Sequence, residues 1–268
     1  MDPMELENAI QVSIDEGKQP VFVGATAGTT VRGTFDPLSK IADICDKFNL
    51  WFHVDASWGG SVIISSKHNH LLNGVDRSNS LTWCAHKMMG MPLMCTAALF
   101  KDSSILQKIN SVHGTDYLFH DDIDNNINLG EHSLQCGRRT DAVKLWLSWK
   151  YLGDKGFEKN IDHIFDMAQY ARNKIEASKL LKLITPVESL NICFQIQPEA
   201  IQPSDWNNFN IQVREEILEN GKIMVNYASI KDTTCFRLIT SNFKLNQKDL
   251  DFFFSELEET VFSLLATK

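Results

Sequence analysis

Short apolar segments and a helical segment alternate over the first 100 residues, and this order of elements constrains the fold more than any other feature. The segment between the first two apolar runs, residues 37–48, carries apolar side chains at helical spacing. The apolar runs are rich in β-branched and aromatic residues and predict buried strands: PVFVGAT (20–26), LWFHVD (50–55), LTWCA (81–85) and CTAALF (95–100). Strand, helix and strand in this order predict βαβ units and a mostly parallel sheet in an α/β domain.

The pattern changes after about residue 103. Residues 111–133 are polar and predict a long loop, and loops of this length inside a compact domain are often functional. The remaining elements form two predicted sets: helices at 1–15, 141–152, 157–177, 207–220 and 247–265, and strands at 190–196, 222–228 and 235–240. We therefore expect a large domain over residues 1–145 and a small α+β domain over residues 146–268, whose sheet could be antiparallel.

Composition excludes several classes of protein. Of the 268 residues, 43% are apolar and 22% are charged, which is ordinary for a globular protein. No run approaches eighteen apolar residues and MDPMELENAI lacks a secretory pattern, so we expect neither a membrane span nor a signal peptide.

The net charge of −8 argues against broad nucleic-acid binding. The six cysteines form no CxxC pair, which favours reduced thiols in a cytoplasmic protein. We expect no zinc site at His68 and His70, because no cysteine or carboxylate pair accompanies them at ligand spacing.

Two reactive side chains follow predicted strands. Asp55 ends LWFHVD, and His86-Lys87 directly follows LTWCA and precedes a methionine-rich segment. Taken singly, Asp55 could cap a turn or bind a metal, and Lys87 could extend into solvent. Taken together, they match what pyridoxal phosphate requires, because a lysine forms the Schiff base and a carboxylate keeps the pyridine nitrogen protonated. No GxxxxGK[ST], GxGxxG or GxSxG motif supports a nucleotide-binding or hydrolase alternative.

The sequence resembles the pyridoxal-phosphate-dependent group II amino-acid decarboxylases over essentially its whole length. The similar stretches are ATAGTTVRGTFDPLSKIADICDKFNLWFHVDASWGG, NSLTWCAHKMMGMPLMC, YLF and QCGRRTDAVKLWLSWKYLGDKGFE. They are most similar to the branch that acts on acidic amino acids. The resemblance implies an aspartate-aminotransferase-like fold (fold type I) in a dimer, with residues 1–145 as the carboxyl-terminal part of the cofactor-binding large domain. It also implies decarboxylation of cysteine sulfinate or aspartate to hypotaurine or β-alanine, with glutamate decarboxylation as the alternative.

The resemblance assigns five residues to the cofactor. Lys87 corresponds to the lysine that forms the Schiff base, and Asp55 to the carboxylate that pairs with the pyridine nitrogen. His86 corresponds to a residue near the cofactor phosphate, and Thr26 to one at the cofactor's edge. Ser57 replaces a common alanine and adds a hydroxyl beneath the ring.

Two further residues are assigned to the substrate. Tyr117 matches the loop tyrosine that returns a proton after carbon dioxide leaves, and Arg237 in CFRLITSN matches the arginine that binds the substrate α-carboxylate. The residue pattern agrees for Arg237, because an arginine inside an apolar strand needs an anionic partner. A structural salt bridge is the alternative interpretation of the same pattern.

The sequence also departs from the family pattern. Cys84-Ala85 stands where the family has Asn-Pro, Met94 replaces a glutamine, and the loop after Tyr117 is shorter than usual. The chain begins at a point well inside the family's large domain, so we expect a fragment, an isoform or a shortened protein. This leaves a second function open: a catalytically weak chain that binds pyridoxal phosphate poorly and pairs with itself or with a full-length subunit.

Overall fold

The structure is a computed structural model that describes residues 1–110, 133, 137 and 139–266. The helices are α1 (Pro3–Asp15), α2 (Leu38–Phe48), α3 (Ile105–Asn110), α4 (Asp141–Ala177), α5 (Trp206–Asn220) and α6 (Gln247–Ala266). The strands are β1 (Phe22–Thr26), β2 (Trp51–Ala56), β3 (Ser80–Cys84), β4 (Thr96–Phe100), β5 (Leu181–Leu183), β6 (Asn191–Ile196), β7 (Asn226–Ile230) and β8 (Thr233–Ile239). No helix in these ranges has both the length and the hydropathy that a membrane span needs.

The first sheet has the order β1-β2-β3-β4 and is mostly parallel, which confirms the predicted α/β architecture. The β1–β2 and β2–β3 pairs are parallel, and β4 is antiparallel to β3. Side chains alternate between its two faces, so Val23, Phe52 and Val54 point to one side and are buried with the apolar face of α2. The opposite face is open in the described residues, since Phe22 on β1 is 56% exposed.

The second sheet has the order β5-β6-β8-β7 and is antiparallel throughout, which confirms the expected α+β character of the carboxyl-terminal region. Its apolar face, which includes Phe194 and Phe236, is fully buried in a core shared with α5 and α6. The other face is more polar. It carries Asn191 and Cys193 on β6 and Arg237 on β8, where the register places Cys193 opposite Arg237.

Helix α4 belongs to both cores. Ile161 and Ile164 pack in the core under the first sheet, and Met167 through Ile175 pack in the core of the second. Non-helical backbone at Gly153, with φ 64°, divides α4 near the gap expected between the two predicted helices. The predicted domain division at residues 145 and 146 falls inside the first part of α4 and stays a prediction.

The loop over residues 28–35 connects the first sheet to the polar face of the second. Asn191 Nδ2 donates hydrogen bonds to the carbonyl oxygens of Thr30 at 3.0 Å and Val31 at 2.9 Å. Ser189 Oγ donates to the carbonyl of Gly33 at 3.0 Å. Asn191 and Ser189 are buried, so these bonds form away from water and hold the loop against β6.

Gly33 should be intolerant of a side chain. Its φ is +69°, and an added Cβ would lie 2.2 Å from Ser189 Oγ and 2.9 Å from Asn191 Oδ1. We expect Gly33→Ala to lower the free energy of unfolding by about 2–4 kcal/mol, from backbone strain plus overpacking. Gly221→Ala is the matched control, because its φ is +67° with nothing within 4 Å, and it should cost only about 1 kcal/mol. Urea unfolding of both variants measures the difference, and equal losses would contradict a tight loop contact.

Candidate active site

Asp55 lies on the open face of the first sheet, near the carboxyl end of β2. The register aligns it with Thr26 on β1 and Thr82 on β3, so these three side chains share one face. The Asp55 side chain is exposed, and its Oδ1 accepts a hydrogen bond from the backbone N–H of Ser57 at 3.0 Å. No cation in the described residues pairs with this carboxylate. The strand therefore presents a free negative charge at the edge where ligands bind in α/β sheets.

Lys87 follows the carboxyl end of β3, the strand next to Asp55. Met88 and Met89 are fully buried beside it, and they anchor the turn while Lys87 stays half-buried. The turn is closed by the Lys87 N–H, which donates to the Cys84 carbonyl at 3.3 Å. The Lys87 amine forms no ion pair within the described part of the chain. A half-buried amine without a carboxylate is a candidate nucleophile.

His86 is held by the segment that returns into β4. The Cys95 N–H donates to His86 Nδ1 at 3.1 Å, which orients the half-buried ring beside Lys87. Thr26 and Ser57 are also half-buried and lie on either side of Asp55, the first in register and the second two residues along the chain. The structure thus brings the five predicted cofactor residues to the carboxyl ends of neighbouring strands. Their roles toward a cofactor stay predictions.

Arg237 reaches this region from the second sheet. Its guanidinium carbon lies 5.9 Å from the centroid of the Trp58 ring, and Trp58 follows Asp55 by three residues. The Arg237 Nε is buried without a hydrogen-bond partner, and no carboxylate in the described ranges pairs with the side chain. Burial lowers the pKa of Arg237, and the nearby Cys193 thiol opposes that shift. Arg237 therefore forms no salt bridge among the described residues, and its guanidinium remains available to bind an anion.

Trp58 is a residue that the sequence analysis missed. Its ring Nε1 is buried without a partner, next to the unpartnered donor of Arg237. Gly28 makes room for the ring, because a Cβ at Gly28 would lie 2.7 Å from Trp58 Cδ1. The available signal was an aromatic residue in the ASWGG turn directly after the Asp55 strand. Two buried donors without acceptors in one place favour an anionic ligand.

The last predicted site residue, Tyr117, lies outside the described residues. Its proposed proton transfer therefore rests on the sequence resemblance alone.

A lysine and a free carboxylate at adjacent strand ends, on a mostly parallel sheet followed by a small α+β unit, are the features expected of the aspartate-aminotransferase-like class of pyridoxal-phosphate proteins. The model of the "Pyridoxal-dependent decarboxylase conserved domain" family matches residues 1–197. The chain belongs to this family, which confirms the resemblance seen in the sequence.

Similar proteins agree with this assignment. Mouse (Mus musculus) cysteine sulfinic acid decarboxylase is 40% identical over 271 aligned residues, which cover 96% of this chain and 55% of that protein. The structure of mouse CSAD in apo form superposes with a TM-score of 0.90 at 37% identity, over 97% of this chain and 56% of that one. Oryza sativa TDC with PLP and tryptamine gives 0.92 at 25% identity, over 99% and 55%. The chain thus spans about half the length of these relatives.

Replacing Arg237 separates a ligand-binding role from a structural one. Arg237→Met removes a partly buried charge that lacks an anion, at the loss of a contact with Trp58 worth about 0.5–1 kcal/mol. We expect the free energy of unfolding to stay the same or to rise by up to about 1 kcal/mol in urea denaturation without ligand. A fall of about 3 kcal/mol or more, typical of a broken buried ion pair, would contradict the free-donor interpretation.

Proposed function

We propose that this chain is part of a pyridoxal-phosphate-dependent carboxy-lyase that removes the α-carboxylate of an acidic amino acid. The observation that carries the proposal is the presence of three uncompensated groups in one region: the Lys87 amine, the Asp55 carboxylate and the Arg237 guanidinium. Unpaired charges that are partly buried, as on Lys87 and Arg237, are costly in a fold, and such groups concentrate at functional sites.

The residues present fit pyridoxal phosphate. Lys87 would hold the cofactor covalently through its amine, which no carboxylate engages. Asp55 would hold the proton of the pyridine nitrogen, since its exposed carboxylate has no competing cation. Thr26 and Ser57 would line the ring on either side of Asp55, and His86 would contribute to the phosphate site. The chemistry supplied by the bound cofactor is an electron sink for the electron pair that carbon dioxide leaves behind.

Arg237 would orient the substrate. A guanidinium whose Nε lacks a partner offers charge-assisted hydrogen bonds to a carboxylate, and the Trp58 ring limits its movement. Binding the α-carboxylate there would set the bond to be broken relative to the cofactor-bearing edge of the sheet. By resemblance, Tyr117 would return the proton to the product.

Cysteine sulfinate or aspartate is the proposed substrate, with hypotaurine or β-alanine as product. With cysteine sulfinate as substrate, the protein would act in taurine biosynthesis, because hypotaurine retains the sulfur of taurine. The similarity to mouse cysteine sulfinic acid decarboxylase supports cysteine sulfinate over glutamate. We also propose a cytoplasmic location, because the five described cysteines are free although Cys193 and Cys235 are neighbours in the second sheet.

A pairing function is the second candidate, and the open face of the first sheet favours it. Parallel sheets are normally covered on both faces, yet Phe22 on this face is 56% exposed. The first part of α4 also exposes apolar side chains, with Trp146 at 58% and Leu147 at 55%. Either a homodimer or a complex with a full-length subunit would cover such surfaces. Light scattering of the purified chain, alone and mixed with a full-length subunit, tests this assembly.

Labelling identifies the cofactor lysine without relying on turnover. The protein is mixed with pyridoxal phosphate, reduced with borohydride, digested and mapped by mass spectrometry. We expect the label on Lys87, its loss in Lys87→Arg, and its retention in Lys101→Arg, an exposed lysine after β4. A label on another lysine would refute the site. An unlabelled wild-type chain would instead favour the pairing function.

The Asp55 charge should matter more than its shape. Asp55→Asn keeps the hydrogen-bonding outline but removes the charge that favours a protonated pyridine nitrogen. We expect decarboxylation of cysteine sulfinate to fall by about a thousandfold, which corresponds to about 4 kcal/mol in the activation barrier. Asp76→Asn, on a short helical turn, is a control that should retain full activity. Equal rates for Asp55→Asn and wild type would rule out the proposed role.

A further inference from the structure

Lys144 lies on the first part of α4 and contacts the segment that follows the turn of Lys87. Its amine donates a hydrogen bond to the carbonyl oxygen of Pro92 at 3.2 Å and a second to that of Met94 at 2.7 Å. The Asp141 carboxylate, one helical turn earlier, pairs with the same amine at 2.7 Å. Lys144 is half-buried, so these charge-assisted bonds are partly shielded from water.

The residues that Lys144 contacts belong to the 91–95 segment, which leads from the turn of Lys87 into β4. The two ends of the segment are fixed by burial, because Met91 and Cys95 lie in a small core together with side chains of α4. The three residues between them are exposed, so burial does not hold them. The hydrogen bonds from Lys144 supply the constraint that burial does not, and they attach the segment to a helix of both cores.

The 91–95 segment in turn holds His86 and the strand end before it. Cys95 places its backbone nitrogen 3.1 Å and its carbonyl oxygen 3.0 Å from His86 Nδ1. At the other end of the segment, the Met91 N–H donates to the Ala85 carbonyl at 3.2 Å. A shift of the segment would therefore move the His86 ring and the backbone on either side of the candidate nucleophile.

Building on the proposed function, we propose that Lys144 is a positioning residue for the cofactor site. Its hydrogen bonds fix the 91–95 segment, the segment fixes His86, and His86 and Lys87 then meet the cofactor in a set orientation. Binding to a site that is already arranged loses less free energy to ordering. The alternative is a role confined to α4, in which the ion pair with Asp141 stabilises the start of the helix.

The test measures how readily Lys87 is labelled. Pyridoxal phosphate is titrated into the protein, the mixture is reduced with borohydride, and mass spectrometry gives the concentration at which half of Lys87 is labelled. Lys144→Met keeps the stem and removes the charge, Lys144→Arg keeps the charge, and Asp141→Asn removes only the helical ion pair. Lys150→Met is the matched control, because Lys150 is an exposed lysine on the same part of α4 and lies over the Trp146 ring.

We expect Lys144→Met to raise the half-labelling concentration by at least about tenfold, because it removes charge-assisted hydrogen bonds to two carbonyl oxygens. Lys144→Arg should recover part of this loss, since it keeps a charged donor with a different shape. Asp141→Asn and Lys150→Met should stay within about threefold of wild type, because ion pairs and charges this exposed contribute little.

Hydrogen exchange of the cofactor-free protein, followed by NMR, is a second readout at the bonds themselves. In Lys144→Met the backbone N–H groups of Met91 and Cys95 should exchange at least about tenfold faster than in wild type, because the segment opens locally. Those of β6 should keep their rates, and the urea midpoint should equal that of Lys150→Met. A marked fall in the midpoint would assign Lys144 to general stability and refute the positioning role.

A labelled wild type with an unchanged half-labelling concentration in Lys144→Met would leave the proposed function standing and overturn the role of Lys144. Equal losses in Lys144→Met and Asp141→Asn would assign Lys144 to the stability of α4 and refute its positioning role as well. A wild-type chain without a label on Lys87 would refute the proposed function, and with it the role of Lys144 toward the cofactor.

Discussion

The hydrogen bonds from Asn191 to the 28–35 loop are the contact on which the candidate site depends. They join a loop of the first sheet to a strand of the second, away from water, where an unmade bond would be costly. Together with α4, which packs in both cores, this contact holds the two sheets in the arrangement that brings Arg237 over the Trp58 ring. The strand ends that carry Asp55 and Lys87 therefore lie in the same region as Arg237. The close packing around Gly33 shows how little freedom the junction has.

The site is built from charges that the fold leaves uncompensated. Elsewhere, ion pairs are formed readily, as where Arg77 bridges Asp43 and Asp46. Lys87 and Arg237 have no such partners in the described ranges, although the chain has an excess of acids. Leaving charges unpaired lowers the stability of the fold and retains their capacity to bind a ligand. This trade-off is the physical reason to place function at the junction of the sheets.

Much of the fold was predictable, because burying one face of a helix or strand spaces the apolar residues regularly along the sequence. The runs around Val23 and Phe52 predicted two strands of a mostly parallel sheet, and the strand pattern after residue 190 indicated a second sheet that could be antiparallel. The short elements β5 and α3 were not predicted, because three to six residues are too few to show a period. The interruption of α4 lies at Gly153, between the helices predicted over residues 141–152 and 157–177, and the glycine adopts a positive φ there.

The sequence by itself determined which groups follow strands, and this was enough to select Asp55 and Lys87, because parallel strands end at a common edge. It also determined the family, through long motifs that surround those residues. Only the tertiary structure decided that Arg237 lacks a carboxylate partner among the described residues and that Trp58 lies beside it. These facts depend on contacts between residues more than 150 positions apart along the chain, such as Asn191 with Val31 at a separation of 160, and no local pattern encodes them.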